Sequence, residues 1–142
     1  MFFGDHYPRM DEKGRLALPA KFRDRLGEGM VIAKGQDRCL YVFPRAEFDQ
    51  MGTRLREASH TDRKVRDYER LLFSAADDPV PDRQGRIVLK PELRRYAGLE
   101  RECAVIGANS RVEIWDAQTW RRFTEEREQQ FVDFSGDLFN QK

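Results

Sequence analysis

A pattern running from Asp11 to Arg23 recurs from Asp82 to Arg94, and no other feature of the sequence limits the possible folds as tightly. Asp11, Gly14, Arg15, Leu18 and Arg23 stand 71 residues ahead of Asp82, Gly85, Arg86, Leu89 and Arg94. Further on the two halves align at an offset of 72, which sets Val31–Gly35 against Cys103–Gly107 and Leu40–Phe43 against Val112–Trp115. Phe48 then matches Trp120 and Met51 matches Phe123, and one extra residue between Gly98 and Cys103 absorbs the change. Self-similarity at a long period means a repeated structural unit. The expected division is residues 1–76, a first unit with connecting helices, and 77–142, a second unit with a terminal helix and tail.

Each copy predicts the same short elements. Residues 2–10 read as an extended stretch whose Pro8 suits an edge strand. Asp11–Gly14 reads as a hairpin connection, because Asp can accept from its own downstream amides and Gly can take positive φ. Arg15–Leu18 is then the returning strand, with Leu16 and Leu18 on one face and Arg15 and Ala17 on the other. Pro19 opens a short helix that Gly27 closes. A second hairpin follows, Met30–Ala33 and Cys39–Phe43. The second copy predicts a turn at 82–85, a strand at 86–89, a helix at 91–97 and strands at 103–106 and 111–115. Between the copies, Phe48, Met51 and Leu55 form one helical stripe and Val65, Tyr68, Leu71 and Leu72 another, with Thr61 or Asp62 as cap. Trp120 and Phe123 mark a terminal helix, with Arg127 extending its stripe. The aromatic tail 131–142 is expected to pack on a neighbour.

Charge is where composition enters. The chain of 142 residues has a net charge of +1, with 36% charged residues. Residues 9–25 carry six Lys/Arg against three acids, and 82–96 carry five against two, so each window is +3 and the remainder −5. Positive charge is concentrated on the repeat, which points to a local anionic partner. No apolar run approaches the roughly 20 residues that span a bilayer, so no membrane partner is expected. Cys39 and Cys103 lack metal-ligand neighbours and read as buried thiols of a reduced cytosol.

The Asp at each turn can fix the loop and pair with the Arg four residues on, presenting an oriented guanidinium. Such a group suits bidentate contact with guanine O6/N7 or phosphate. Arg9, Lys13, Arg23, Arg83, Lys90 and Arg94 stand nearby for phosphate contacts. From the residues alone two readings stay open: a DNA-binding surface used twice, or an Asp–Arg pair that only staples a turn. Enzyme chemistry is not expected. His6 and His60 stand in no metal or nucleophile pattern, Asp77-Asp78 reads as a helix stop, and no phosphate-binding glycine loop occurs. No catalytic residue, metal or cofactor is assigned.

The Met-Phe start, the Asp11–Arg23 segment and the Asp82–Arg86 motif together resemble the MraZ family of bacterial regulators, within the AbrB-like superfamily, over almost the whole chain. Lys90 departs from that pattern, where Pro is common. The resemblance implies an α+β, mainly β fold: tandem swapped-hairpin units forming a pseudo-dimeric, β-barrel-like core with flanking helices. It implies a ring-shaped homo-oligomer, cytoplasmic and nucleoid-associated. Such a ring regulates transcription by binding double-stranded DNA at promoter-proximal, tandem G-rich repeats upstream of the division and cell-wall genes. It places Asp11 and Arg15, with Asp82 and Arg86, on the DNA-contacting surface; Lys13 and Arg83 join them as candidates from their place in the motif. The alternative is a ring-forming interaction scaffold without sequence-specific DNA binding.

Overall fold

A computed structural model describes residues 1–58 and 60–136. Its strands are β1 (Asp5–His6), β2 (Arg15–Ala17), β3 (Met30–Lys34), β4 (Leu40–Pro44), β5 (Arg86–Val88), β6 (Cys103–Gly107) and β7 (Val112–Asp116). Its helices are α1 (Ala20–Arg25), α2 (Arg45–Glu57), α3 (Arg63–Ser74), α4 (Pro91–Tyr96) and α5 (Ala117–Asp133). Asp62 caps α3 by accepting from the Lys64 amide at 2.9 Å, and Asp116 caps α5 through the Thr119 amide at 3.1 Å. Of the tail, Phe131 and Val132 belong to α5; Leu138 and Phe139 lie outside the described residues.

The strands form a five-stranded antiparallel sheet ordered β1-β6-β7-β4-β3 and a separate ribbon of β2 with β5. The fold is α+β as expected, but two features of that expectation are corrected. Helices hold more residues than strands, so it is not mainly β, and the described strands close no barrel. Strands of two or three residues in β1, β2 and β5 are too short to close one. The long strands are also apolar on both faces, which a sheet satisfies only when covered on each side. Met30, Ile32, Leu40, Val42, Cys103, Val105, Val112 and Ile114 face one core, shared with the ribbon, α1 and α4. Ala33, Tyr41, Phe43, Ala104, Ile106 and Trp115 face a second, into which α2, α3 and α5 deliver Phe48, Met51, Leu72, Trp120 and Phe123.

The two copies are interlaced. β1 pairs with β6 (His6 opposite Val105), while Asp77, the position 71 residues on from His6, pairs with Ile32 of β3. Asp77 thus makes an isolated bridge to the first copy besides following the end of α3. The expected hairpin between residues 2–10 and 15–18 does not form. The turn is present, but β2 pairs with β5, Leu16 lying opposite Ile87. At the centre β4 pairs with β7, which puts an approximate two-fold axis through the sheet.

Register corrects one part of the repeat. β3 pairs with β4 and β6 with β7 such that Met30, not Val31, is the counterpart of Cys103. The loop between Lys34 and Leu40 is one residue longer than that between Gly107 and Val112, and the approach to β6 is correspondingly longer. Matching Gly35 to Gly107 hides both changes. Because side chains alternate, a slip of one residue reverses every face. Only the shifted register puts Cys103 and Val105 in the core that holds Met30 and Ile32.

Candidate nucleic-acid interface

Leu16 and Ile87 are fully buried at the middle of the ribbon. Burying each is worth about 1.5–3 kcal/mol, so they dictate which way the strands face. Their neighbours Arg15, Ala17, Arg86 and Val88 must then lie on the outer face. Arg15 is opposite Val88 and Arg86 opposite Ala17. The two arginines are therefore diagonal neighbours on one surface, about 7–8 Å apart in ribbons of this kind. Val88, 54% exposed, lies directly across from Arg15. Two patches read as separate from the sequence meet as a single face.

The turns feeding this ribbon are built alike. The Asp11 amide donates to Arg15 O at 3.0 Å and the Gly14 amide to Asp11 O at 3.1 Å; the corresponding distances at Asp82–Arg86 and Gly85–Asp82 are both 2.9 Å. Asp11 Oδ1 accepts from the Lys13 and Arg15 amides, each at 2.9 Å, and Asp82 Oδ1 accepts from the Gln84 and Arg86 amides at the same distance. The other carboxylate oxygen takes the arginine Nε, at 2.6 Å for Arg15 and 2.9 Å for Arg86. These contacts, led by the arginine's backbone N–H, hold the carboxyls of Asp11 and Asp82 below their usual range. An exposed ion pair of this kind adds little to stability. The backbone bonds hold the turn, and the pair orients a guanidinium by its Nε edge. No acceptor other than that Asp engages either guanidinium among the described residues.

Gly14 and Gly85 have φ of +78° and +76°, the left-handed conformation glycine adopts without strain. Each also passes its carbonyl to the other copy: the Leu18 amide donates to Gly85 O at 3.1 Å and the Leu89 amide to Gly14 O at 2.9 Å.

The remaining candidates divide. Lys13 and Arg83 are exposed on the turns themselves. Arg9 lines an open groove of about 520 Å³ with Asp11, Lys13, Arg15 and Arg101. Lys90 is paired with Asp77 at 3.5 Å, which lowers its availability to an anion. Arg23 and Arg94 donate Nε to the Leu18 and Leu89 carbonyls at 2.9 and 3.0 Å. Arg101 was not legible as a site residue. It lies in the stretch ahead of β6, which is longer than its counterpart ahead of β3 and does not repeat its residue types, so the repeat gives no signal for it.

Elsewhere, Cys39 and Cys103 are buried free thiols whose pKa burial pushes up to about 12, leaving them protonated and inert at neutral pH. His6 packs edge-on to Phe22, and His60 Nε2 lies 3.4 Å from Glu69. Among the described residues no cluster of His, Cys, Asp and Glu could hold a metal ion, and no helix is long and apolar enough to cross a membrane.

The family model for MraZ protein, described as antitoxin-like, matches residues 1–71 and again 72–140. The chain is 57% identical over 138 residues to a protein of Parafrankia sp. named transcriptional regulator MraZ, covering 97% of this chain and 96% of that one. Proteins of the same name from Thermobifida fusca and Paenarthrobacter aurescens are 54% and 51% identical, over 97% and 96% of this chain and 96% of each relative.

Proposed function

The chain belongs to the MraZ family, and from that premise we propose that it is a sequence-specific, DNA-binding transcriptional regulator. Its targets are short tandem G-rich repeats upstream of its own operon in the division and cell-wall cluster, which it binds as a ring of subunits in the cytoplasm, at the nucleoid. The observation that carries the reading is the pair of Asp-oriented guanidiniums, Arg15 and Arg86, on one outer face of the β2–β5 ribbon. Each has the fork needed for a guanine edge, and Lys13, Arg83 and Arg9 border them for phosphate contact. The units 1–76 and 77–142 act as the two halves of a swapped-hairpin pair, a reading that the interlaced strands support. Affinity from one face is modest and salt-sensitive; several subunits engaging tandem sites multiply it through effective concentration.

The test is fluorescence anisotropy on tandem G-rich repeats across a salt series, against scrambled DNA. The reading expects a preference for the repeats that Arg15→Ala and Arg86→Ala weaken while folding and assembly persist. Equal affinity for both DNAs, untouched by the double substitution, is the outcome of the scaffold reading and would sink the motif assignment. One observation favours an assembly role in addition: Phe131, Val132 and Phe134 are 84%, 66% and 65% exposed at the end of α5. Removing residues 131–142 is expected to change the assembly state by light scattering while each subunit stays folded.

A further inference from the structure

Arg23 and Arg94 match in the repeat, and by charge alone they belong with the phosphate contacts. Their positions say otherwise. Arg23 sits in the last turn of α1 and donates Nε to the Leu18 carbonyl, which fixes the plane of its guanidinium. That guanidinium lies over Gly85, in the turn of the other copy: a Cβ added there would sit 2.5 Å from Arg23 Cζ. Arg94 does the same in reverse, donating to Leu89 O while a Cβ on Gly14 would sit 2.9 Å from its Cζ. Neither arginine covers the turn of its own copy. The turn glycines thus serve two purposes, a positive φ and the close approach of a flat cation.

We propose that Arg23 and Arg94 are positioning residues, each locking the opposite copy's Asp turn, so that each DNA-contacting arginine is held by the other half of the chain. Arg23 fixes the turn that orients Arg86, and Arg94 fixes the turn that orients Arg15. The chain of contacts is continuous: Arg23 bridges the Leu18 carbonyl and Gly85, and the Leu18 amide binds the Gly85 carbonyl beside it. The inference rests on the proposed DNA-binding reading for its consequence, though its structural part stands apart from it.

Lysine separates this role from phosphate binding. It keeps the positive charge that a phosphate needs but has no planar fork to bond a carbonyl and cover a glycine at once. The experiment is amide hydrogen exchange on the full chain carrying Arg23→Lys or Arg94→Lys, with Arg23→Gln as a second variant that keeps an N–H donor near the Nε position but is shorter and uncharged, and is expected to loosen the same turn as Arg23→Lys. Arg23→Lys is expected to speed exchange about five- to tenfold at the Gly85 and Arg86 amides and leave Gly14 and Arg15 unchanged; Arg94→Lys should do the converse. In DNA binding, Arg23→Lys combined with Arg86→Ala should lose less than the sum of the two effects, whereas Arg23→Lys with Arg15→Ala should be additive. Protection unchanged in both turns with affinity lost would overturn the proposal in favour of direct phosphate contact. So would loosening confined to the arginine's own copy, or equal loosening of both turns. Crossed exchange effects in a protein with no preference for G-rich DNA would leave the positioning role in place and remove the DNA reading instead.

Discussion

The turn at Asp11–Arg15 and the turn at Asp82–Arg86 have the same skeleton but different rims. In both, one carboxylate oxygen takes two amides and the other takes an arginine Nε, and in both a guanidinium from the opposite copy lies over the glycine. Around that skeleton Glu12-Lys13 is replaced by Arg83-Gln84. The approach differs too. Met10 is buried, its amide on Arg101 O at 2.6 Å, whereas the second turn follows Val80, 86% exposed between two prolines. Identity is kept where geometry orients a fork and lost where a side chain only borders it. The outcome is a face with a two-fold centre and an asymmetric edge.

The largest effect expected is on DNA affinity. Arg15→Ala and Arg86→Ala should each cost about 1–3 kcal/mol, about fivefold or more in Kd by anisotropy at fixed salt. A large loss at one and none at the other would break the equivalence of the turns. Next come the glycines. Gly14→Ala and Gly85→Ala should each destabilise by about 1 kcal/mol or more in thermal melts, since both hold positive φ. Gly85→Ala should be the worse, because its added methyl would lie nearer the covering arginine.

A smaller effect is linked to pH. The Asp11 and Asp82 carboxyls are held low in the fold, so their stabilisation is complete above the unfolded carboxylate pKa and disappears as pH falls through the folded one. Urea midpoints of Asp11→Asn and Asp82→Asn should therefore trail the unsubstituted protein at neutral pH and begin to converge with it only as pH falls below about 4. Smallest is the rim: Lys13→Gln should make the salt dependence of DNA binding shallower by about one unit of slope, and Gln84→Lys steeper by as much. Equal slopes for all three proteins would show the rim to be idle.

Much of this arrangement was legible from residue types at fixed spacing. The Leu16/Leu18 alternation, the positive φ at Gly14 and Gly85, the Asp–Arg pairing and the stripe of Phe48 and Met51 all follow from local rules. Partner choice was not. Nothing near Arg15 says that β2 pairs with β5 rather than with residues 2–10, because both are short and apolar on alternate positions. The shift at Cys103 was hidden for a similar reason: a glycine at the strand end drew the alignment one residue out of register. Arg23 was recognised as a matching cation, but its role depends on which turn it reaches, and that distance exists only after the copies interlace.

The pairing of β1 with β6 also sets a schedule. His6 finds Val105 only after about a hundred more residues have been made, which at synthesis rates of about 5–20 residues per second is a delay of about 5–20 s. For most of that interval Phe2, Leu16, Leu18 and Phe22 lack the second copy's half of their core. Two separate chains would have to complete such a core by collision, at a rate set by how much of each the cell contains. Joined in one polypeptide, the halves meet after a wait fixed by the ribosome and independent of abundance.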